Sequence, residues 1–218
     1  MNKEKYDIKK LAAISMMTAL AFVSVAIIRI PVVSFLKYEP KDCIIAILAF
    51  LYGPAAAALS TVAVSLIEMI TVSDTGLIGF FMNITASLLF VMPAALMYRR
   101  AKSLKIAVIG LAAGALLMTG GMILWNYVVT PFYMGTPRAD VVKMLVPVFL
   151  PFNLFKGSLN AAITLLLYKR VAGILRKTGA VQSSQTDGSS KKSIAVAAIC
   201  AAVIVTLILV LLAWRGII

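Results

Sequence analysis

The sequence contains no histidine, so imidazole bases, histidine metal ligands and a Ser-His-Asp triad are all excluded. Its two cysteines, Cys43 and Cys200, stand far apart in apolar stretches with neither a CxxC partner nor metal-ligand spacing, and no role is assigned to them. Acidic residues are scarce: eight Asp and Glu in 218 residues leave few carboxylates for general acid-base chemistry or for holding a metal cation. No enzymatic activity, metal or cofactor is expected. There is also no GxxxxGK[ST] loop, so ATP hydrolysis through such a loop is not expected of this chain.

What is present is apolar. Hydrophobic residues make up 62% of the chain and charged residues 13%, with a mean hydropathy of +1.01, whereas a soluble domain is about a quarter charged. A water-soluble fold of this length cannot bury that much apolar surface, and disorder needs the opposite bias. The chain is therefore expected to be a membrane protein surrounded by lipid. Its net charge of +13 would suggest nucleic acid in a soluble protein, but here the basic residues are topology signals and no nucleic-acid partner is expected.

Apolar runs of membrane-spanning length occur at about 11–30, 76–98, 106–130, 148–168 and 194–213. The stretch 42–72 is long for one upright span and short for two, and it is interrupted by Gly53-Pro54. Charge parity decides between them. With two helices turning at Gly53-Pro54, the basic groups at 3–10, 99–105 and 169–192 fall on one side, carrying 14 of the 21 Lys and Arg. With one helix, the first two groups are split across the bilayer, against the positive-inside rule. Two passes are therefore expected, giving an all-α membrane protein of six helices plus an additional C-terminal helix, in a cell membrane, with the N-terminus cytoplasmic.

The unit 1–177 is expected to form the six-helix domain, 178–193 a flexible Ser/Gly/Gln-rich linker, and 194–218 an additional membrane helix. The run 194–213 is apolar on all faces, the pattern of a lipid-exposed anchor that need not pack on the core. Ser24-Val25-Ala26 resembles a signal cleavage site, but the apolar run continues through Ile30, which favours a retained helix.

Polar groups inside apolar spans are costly to leave unpaired, so each one carries information. Asn83 and Ser87 share a face, Asn126 lies towards the outer end of its helix, and Asn153, Lys156 and Asn160 follow one helix face, with Gly157 permitting close approach of another chain or a ligand. The segment 35–42 mixes charges of both signs with Phe35 and Tyr38. Each also has a plain alternative: interhelical hydrogen bonding for Asn83 and Ser87, a snorkelling anchor for Lys156, a solvated loop for 35–42. Glu68 is the one carboxylate deep in an apolar run and has no basic partner nearby in sequence.

Amide side chains offer both donors and acceptors, and Lys adds a donor. Phe35, Tyr38, Phe80, Phe81, Tyr127, Phe152 and Phe155 are candidates to flank a ring. The combination suits a neutral, planar, heterocyclic or hydroxylated small molecule.

FLKYEPKD at 35–42, LYGP at 51–54, TGLIGFFMN at 75–83, MPAALMYRR at 92–100, NYVVTPFY at 126–133 and PFNLFKG at 151–157 together resemble the riboflavin-specific, RibU-like S components of energy-coupling factor (ECF) transporters. The resemblance implies a six-helix S-component bundle whose first outer loop caps one riboflavin, the transported ligand. It implies that Asn126, Asn153 and Lys156 bond the isoalloxazine ring, that Leu36, Tyr38 and Asp42 help to cover it, and that Asn83 and Thr75 contribute. The implied partners are a membrane coupling subunit and two cytoplasmic ATPases. The AxxxA docking groove of S components has its nearest equivalent in Ser15-Met-Met-Thr-Ala19, with Ala12 on the same face. Flavin mononucleotide is a second candidate ligand, its phosphate reaching Lys37 or Lys41 in the loop, both taken as solvent-exposed. The alternatives are an S component for another vitamin, or a proton-coupled carrier in which Glu68 titrates.

Overall fold

The computed structural model describes residues 3–33, 36–181 and 190–214. Helix α1 (Lys3–Ile27) stops short of the expected Ile30, and a hairpin of β1 (Ile30–Val33) and β2 (Leu36–Tyr38) follows. Pro31 cannot continue a helix, while Ile30, Val32 and Val33 are β-branched and suit an extended strand. The strands pair antiparallel, Ile30 opposite Tyr38 and Val33 opposite Leu36, with an irregularity between Pro31 and Val33. This ribbon is the one departure from an all-helical chain among the described residues.

The stretch 42–72 folds as two helices, α2 (Lys41–Tyr52) and α3 (Pro54–Thr71). Gly53 between them has φ +92°, a conformation that favours glycine, and Pro54 supplies the preset φ of a first helical turn. Lys41 at the start of α2 pairs with Glu68 near the end of α3, so the two helices run antiparallel. With 12 residues, α2 is about 18 Å long, less than the ~30 Å hydrocarbon core. Nine of those residues are buried, so α2 is a central helix enclosed by its neighbours.

Helices α4 (Gly76–Arg100) and α5 (Leu104–Val128) cross backbone to backbone. A Cβ on Gly114 would stand 2.0 Å from the Phe90 carbonyl oxygen, and one on Gly110 2.8 Å from the Ala94 Cα. In lipid, where apolar side chains gain little by leaving the solvent, this close approach of small residues is what holds helices together. Thr130-Pro131 ends α5 as expected, and the short α6 (Thr130–Met134) turns the chain. The next helix starts earlier than the expected 148: α7 (Arg138–Met144) runs through a π turn (Leu145–Phe149) into α8 (Leu150–Lys177). Pro147 and Pro151 lack the N–H a regular helix would use there, and the wider turn accommodates that loss. Gly157 serves packing: its Cβ would meet the Ala115 Cβ of α5 at 2.8 Å.

Five segments, 7–27, 54–71, 76–100, 104–128 and 138–177, are long and apolar enough to cross a membrane, and 196–209 is a shorter apolar helix. The core between them is built on Leu48, Val64, Phe90, Leu111 and Met118. At the far end of α2, Phe50 packs on Tyr98 with ring centres 4.5 Å apart, and the Tyr98 and Tyr168 hydroxyls lie 2.8 Å apart, closing that end of the bundle.

Helix α9 (Ser190–Trp214) does not stand apart. It packs along α8, and its Ile204 and Leu207 cover a cluster of Val32, Tyr38, Phe152, Phe155 and Leu159. The expectation of an unpacked anchor is corrected: an all-apolar surface still finds a complementary groove, and contact with α8 and the hairpin gains dispersion energy over mobile lipid. The central part of the polar linker, 182–189, and Arg215 lie outside the described residues.

Candidate functional site

At the end of the bundle opposite the Phe50-Tyr98-Tyr168 closure lies a mostly apolar cavity of ≈ 320 Å³, within the range of small-molecule sites. The hairpin and its flanks contribute Arg29, Leu36, Lys37 and Glu39; α3 contributes Glu68, and the following turn Ser73, Asp74 and Thr75. Ile78, Gly79, Met82 and Asn83 come from α4, Met122, Trp125 and Asn126 from α5, Thr130, Tyr133 and Met134 from α6, and Phe152, Asn153 and Lys156 from α8.

Six of the eight residues that the resemblance implied at the ligand meet here: Leu36, Thr75, Asn83, Asn126, Asn153 and Lys156. Asn126 is anchored by its own helix, donating to the Met122 carbonyl and accepting from the Thr130 hydroxyl at 2.8 Å. Asn153 donates to the Phe149 carbonyl at 2.8 Å. A primary amide has two donors and two acceptor lone pairs, so both side chains are held in place with hydrogen-bonding capacity left for a ligand.

Tyr38 and Asp42, expected to help cover the ligand, are not among the cavity-lining residues and take supporting positions. The Tyr38 hydroxyl donates to Asn160 Oδ1 at 2.9 Å, and burial, with the nearby Cys43 and Asp42, pushes its ionisation up, so it stays a neutral donor. Asp42 is fully buried, accepts from the Ser87 hydroxyl, and places Oδ2 3.8 Å from the Lys156 ammonium. Asp42 thus balances the charge of a lysine that faces the cavity. The aromatic expectation also changes. Of the named rings only Phe152 lines the cavity; Phe81 and Tyr127 are exposed, Phe155 packs edge-on to Tyr38, and Phe35 lies outside the described residues. Trp125 and Tyr133 supply the rings in their place.

A charged cluster forms one wall. Arg29 Nε donates to Glu39 Oε1 at 2.9 Å and its Nη1 to the Val72 carbonyl, while Nη2 is 3.4 Å from Glu68 Oε1. Lys41 bonds Glu68 Oε2 and lies 3.5 Å from Glu39 Oε2. Asn83 Nδ2 donates to Glu68 Oε1 at 2.9 Å. Burial alone would raise the Glu39 ionisation, but Lys41, Lys156 and Arg29 outweigh it and hold the carboxyl below the usual carboxylate range. Glu68 has basic partners after all, 27 and 39 positions away in the chain: the antiparallel packing of α2 on α3 brings Lys41 to it, and the segment between α1 and β1 brings Arg29. Lys41, 1% exposed, is buried and not available to a phosphate in solution; Lys37 is exposed at the rim and pairs with Asp74 at 3.2 Å.

On α1, Ala12, Ser15 and Ala19 are all exposed on the outside of the bundle, whereas Ala13, Met17 and Ala21 face the core. The expected docking face is thus open.

Residues 9–168 match the family model described as the substrate-specific component of ECF transporters. The riboflavin transporter RibU of Staphylococcus aureus is 29% identical over 179 residues, covering 78% of this chain and 93% of that protein. The riboflavin transporter FmnP of Bacillus subtilis is 28% identical, covering 74% and 90%. A solved S component of a bacterial ECF transporter superimposes with a TM-score of 0.64 at 30% identity, covering 78% of this chain and 99% of that one.

Proposed function

The chain belongs to the family of ECF transporter substrate-specific components, and from that premise we propose that it captures riboflavin in the cavity beneath the hairpin. It is a membrane-embedded transporter subunit and not an enzyme. The observation that carries the ligand assignment is the meeting of Asn126, Asn153 and Lys156 beside Trp125, Tyr133 and Phe152: donors and acceptors for a heterocyclic rim next to rings that stack on a planar system. The relatives' names point to the same vitamin. Leu36 and the hairpin cover the ligand, and Thr75 and Asn83 complete the wall.

The cavity has one closed end, so release on the other side needs a second conformation in which affinity is lower. That step requires energy acting differently on the two states. A membrane coupling subunit, docking on Ala12, Ser15 and Ala19 of α1, and two cytoplasmic ATPases supply it, with the N-terminus on the ATPase side. The proton-carrier alternative is disfavoured by the geometry of Glu68, whose side-chain oxygens are already engaged by Arg29, Lys41 and Asn83.

Uptake decides between them. Cells without their own riboflavin uptake, expressing this chain with a coupling subunit and ATPases, should import riboflavin until ATP is depleted and continue when the proton gradient is collapsed. Import that stops with the gradient and survives ATP depletion overturns the assignment.

A further inference from the structure

The charged wall contributes Arg29, Glu39 and Glu68 to the cavity lining, and these need their own ligand chemistry. Glu68 is 1% exposed, sits on α3, and reaches the cavity between Asn83 of α4 and Arg29 before the hairpin. A carboxylate has about four lone-pair positions. Asn83 and Arg29 occupy two on Oε1 and Lys41 one on Oε2, which leaves one acceptor position on a side chain that lines the cavity.

Its charge is balanced as well. Glu39 and Glu68 face Arg29 and Lys41 in one connected cluster, and Asp42 faces Lys156 as a separate pair, three acids against three bases. Such a wall gives no net pull on an anionic or cationic group. It does give strong, directed acceptors for a neutral group that donates, and hydroxyl groups are the neutral donors that fit. An ionised tail would have to be desolvated against a cluster already neutralised.

We infer that Glu68, aligned by Asn83 and Arg29, is the specificity-determining acceptor for a neutral polyhydroxylated tail of the ligand, while Asn126, Asn153 and Lys156 take the heterocyclic ring. The inference rests on the riboflavin reading, because riboflavin joins such a ring to a ribityl chain. It adds α3 to the ligand contacts, where the sequence offered only the loop and the later helices. It also gives Glu68 a role as a hydrogen-bond acceptor for the ligand, distinct from carrying a proton.

The test compares riboflavin with lumiflavin, which carries the same ring system and a methyl group in place of the ribityl chain. Both are titrated by flavin fluorescence into the full-length protein in detergent, for wild type and Glu68→Gln. Wild type should prefer riboflavin. Glu68→Gln should lose at least about tenfold in riboflavin affinity, the size of one hydrogen bond to a charged group, and leave lumiflavin affinity nearly unchanged. Lumiflavin binding also reports that the cavity is folded. Because Glu68→Gln removes one of the two carboxylates beside the buried Lys41, Lys41→Met/Glu68→Gln is measured in parallel, and the same loss of preference is expected. Equal loss of both flavins in both variants, or an unchanged preference for riboflavin, overturns the role of Glu68 while leaving the riboflavin reading intact. Wild type that binds neither flavin sinks the riboflavin reading and the tail site with it.

Discussion

At the scale of the residue, binding depends on a few polar atoms that the fold has already fixed. Removing one partner leaves a buried ligand atom unpaired at about 1–3 kcal/mol, so Asn153→Ala and Lys156→Ala should each weaken riboflavin binding by at least about tenfold in isothermal titration. Lys156→Met keeps the length and loses the donor, so it should behave like Lys156→Ala; wild-type affinity in all three would remove these residues from the site. Glu39 adds a pH dependence. Its carboxyl is held below its ordinary value of about 4.5 by Lys41, Lys156 and Arg29 against the effect of burial. The hairpin is therefore stabilised at neutral pH, and that stabilisation is lost progressively as the pH falls from the ordinary carboxylate range through the lowered value. Riboflavin dissociation should accelerate at that acid edge, and in Glu39→Gln it should be faster already at pH 7; identical rates for the two proteins at pH 7 would exclude the hairpin clasp. Asn83, Asn126, Asn153 and Lys156 were legible in sequence because polar groups in apolar spans are rare. Arg29, Glu39 and the partners of Glu68 were not, because their meaning is a pairing between elements distant in the chain.

At the scale of the element, two contacts decide whether the site exists. The α4–α5 crossing leaves no room at Gly114, so Gly114→Ala should abolish folded, monodisperse protein, whereas Gly120→Ala, with nothing within 4 Å of its added carbon, should be tolerated. Recovery of both variants with equal yield would contradict the crossing. The second contact is α9. From sequence, a chain ending at Lys177 is expected to bind riboflavin almost unchanged. The packing of Ile204 and Leu207 over Val32, Phe152 and Phe155 changes that expectation, since the same cluster supports the hairpin and the ligand-bearing turn of α8. Lipid is as apolar as leucine, so only packing is lost on truncating these side chains, and the effect is modest. Ile204→Ala/Leu207→Ala should speed riboflavin release several-fold relative to Ile208→Ala/Leu209→Ala on the exposed side, within about 1 kcal/mol. Equal rates for the two pairs would return α9 to the role of a passive anchor. The apolar periodicity of 194–213 could not reveal this contact: a helix that is hydrophobic all round carries no stripe to say which side is buried.

At the scale of the whole molecule, the bundle is a closed-ended receptor. The division of 42–72 into two helices and the turn at Gly53 followed from apolar run lengths and charge parity, because the bilayer imposes both. The hairpin did not, since Ile30 to Val33 reads equally well as the continuation of an apolar helix until Pro31 is given its full weight. One end of the bundle is sealed by Phe50, Tyr98 and Tyr168 and the other holds a cavity under a charged clasp, so this single conformation can bind a ligand but cannot conduct it. Binding is thus the property that must be present before any transport cycle is considered. Titration of riboflavin into the purified full-length protein, followed by quenching of flavin fluorescence, tests it most directly: saturation at one flavin per chain is predicted, with the purified protein turning yellow, and fluorescence that stays proportional to added riboflavin would contradict it.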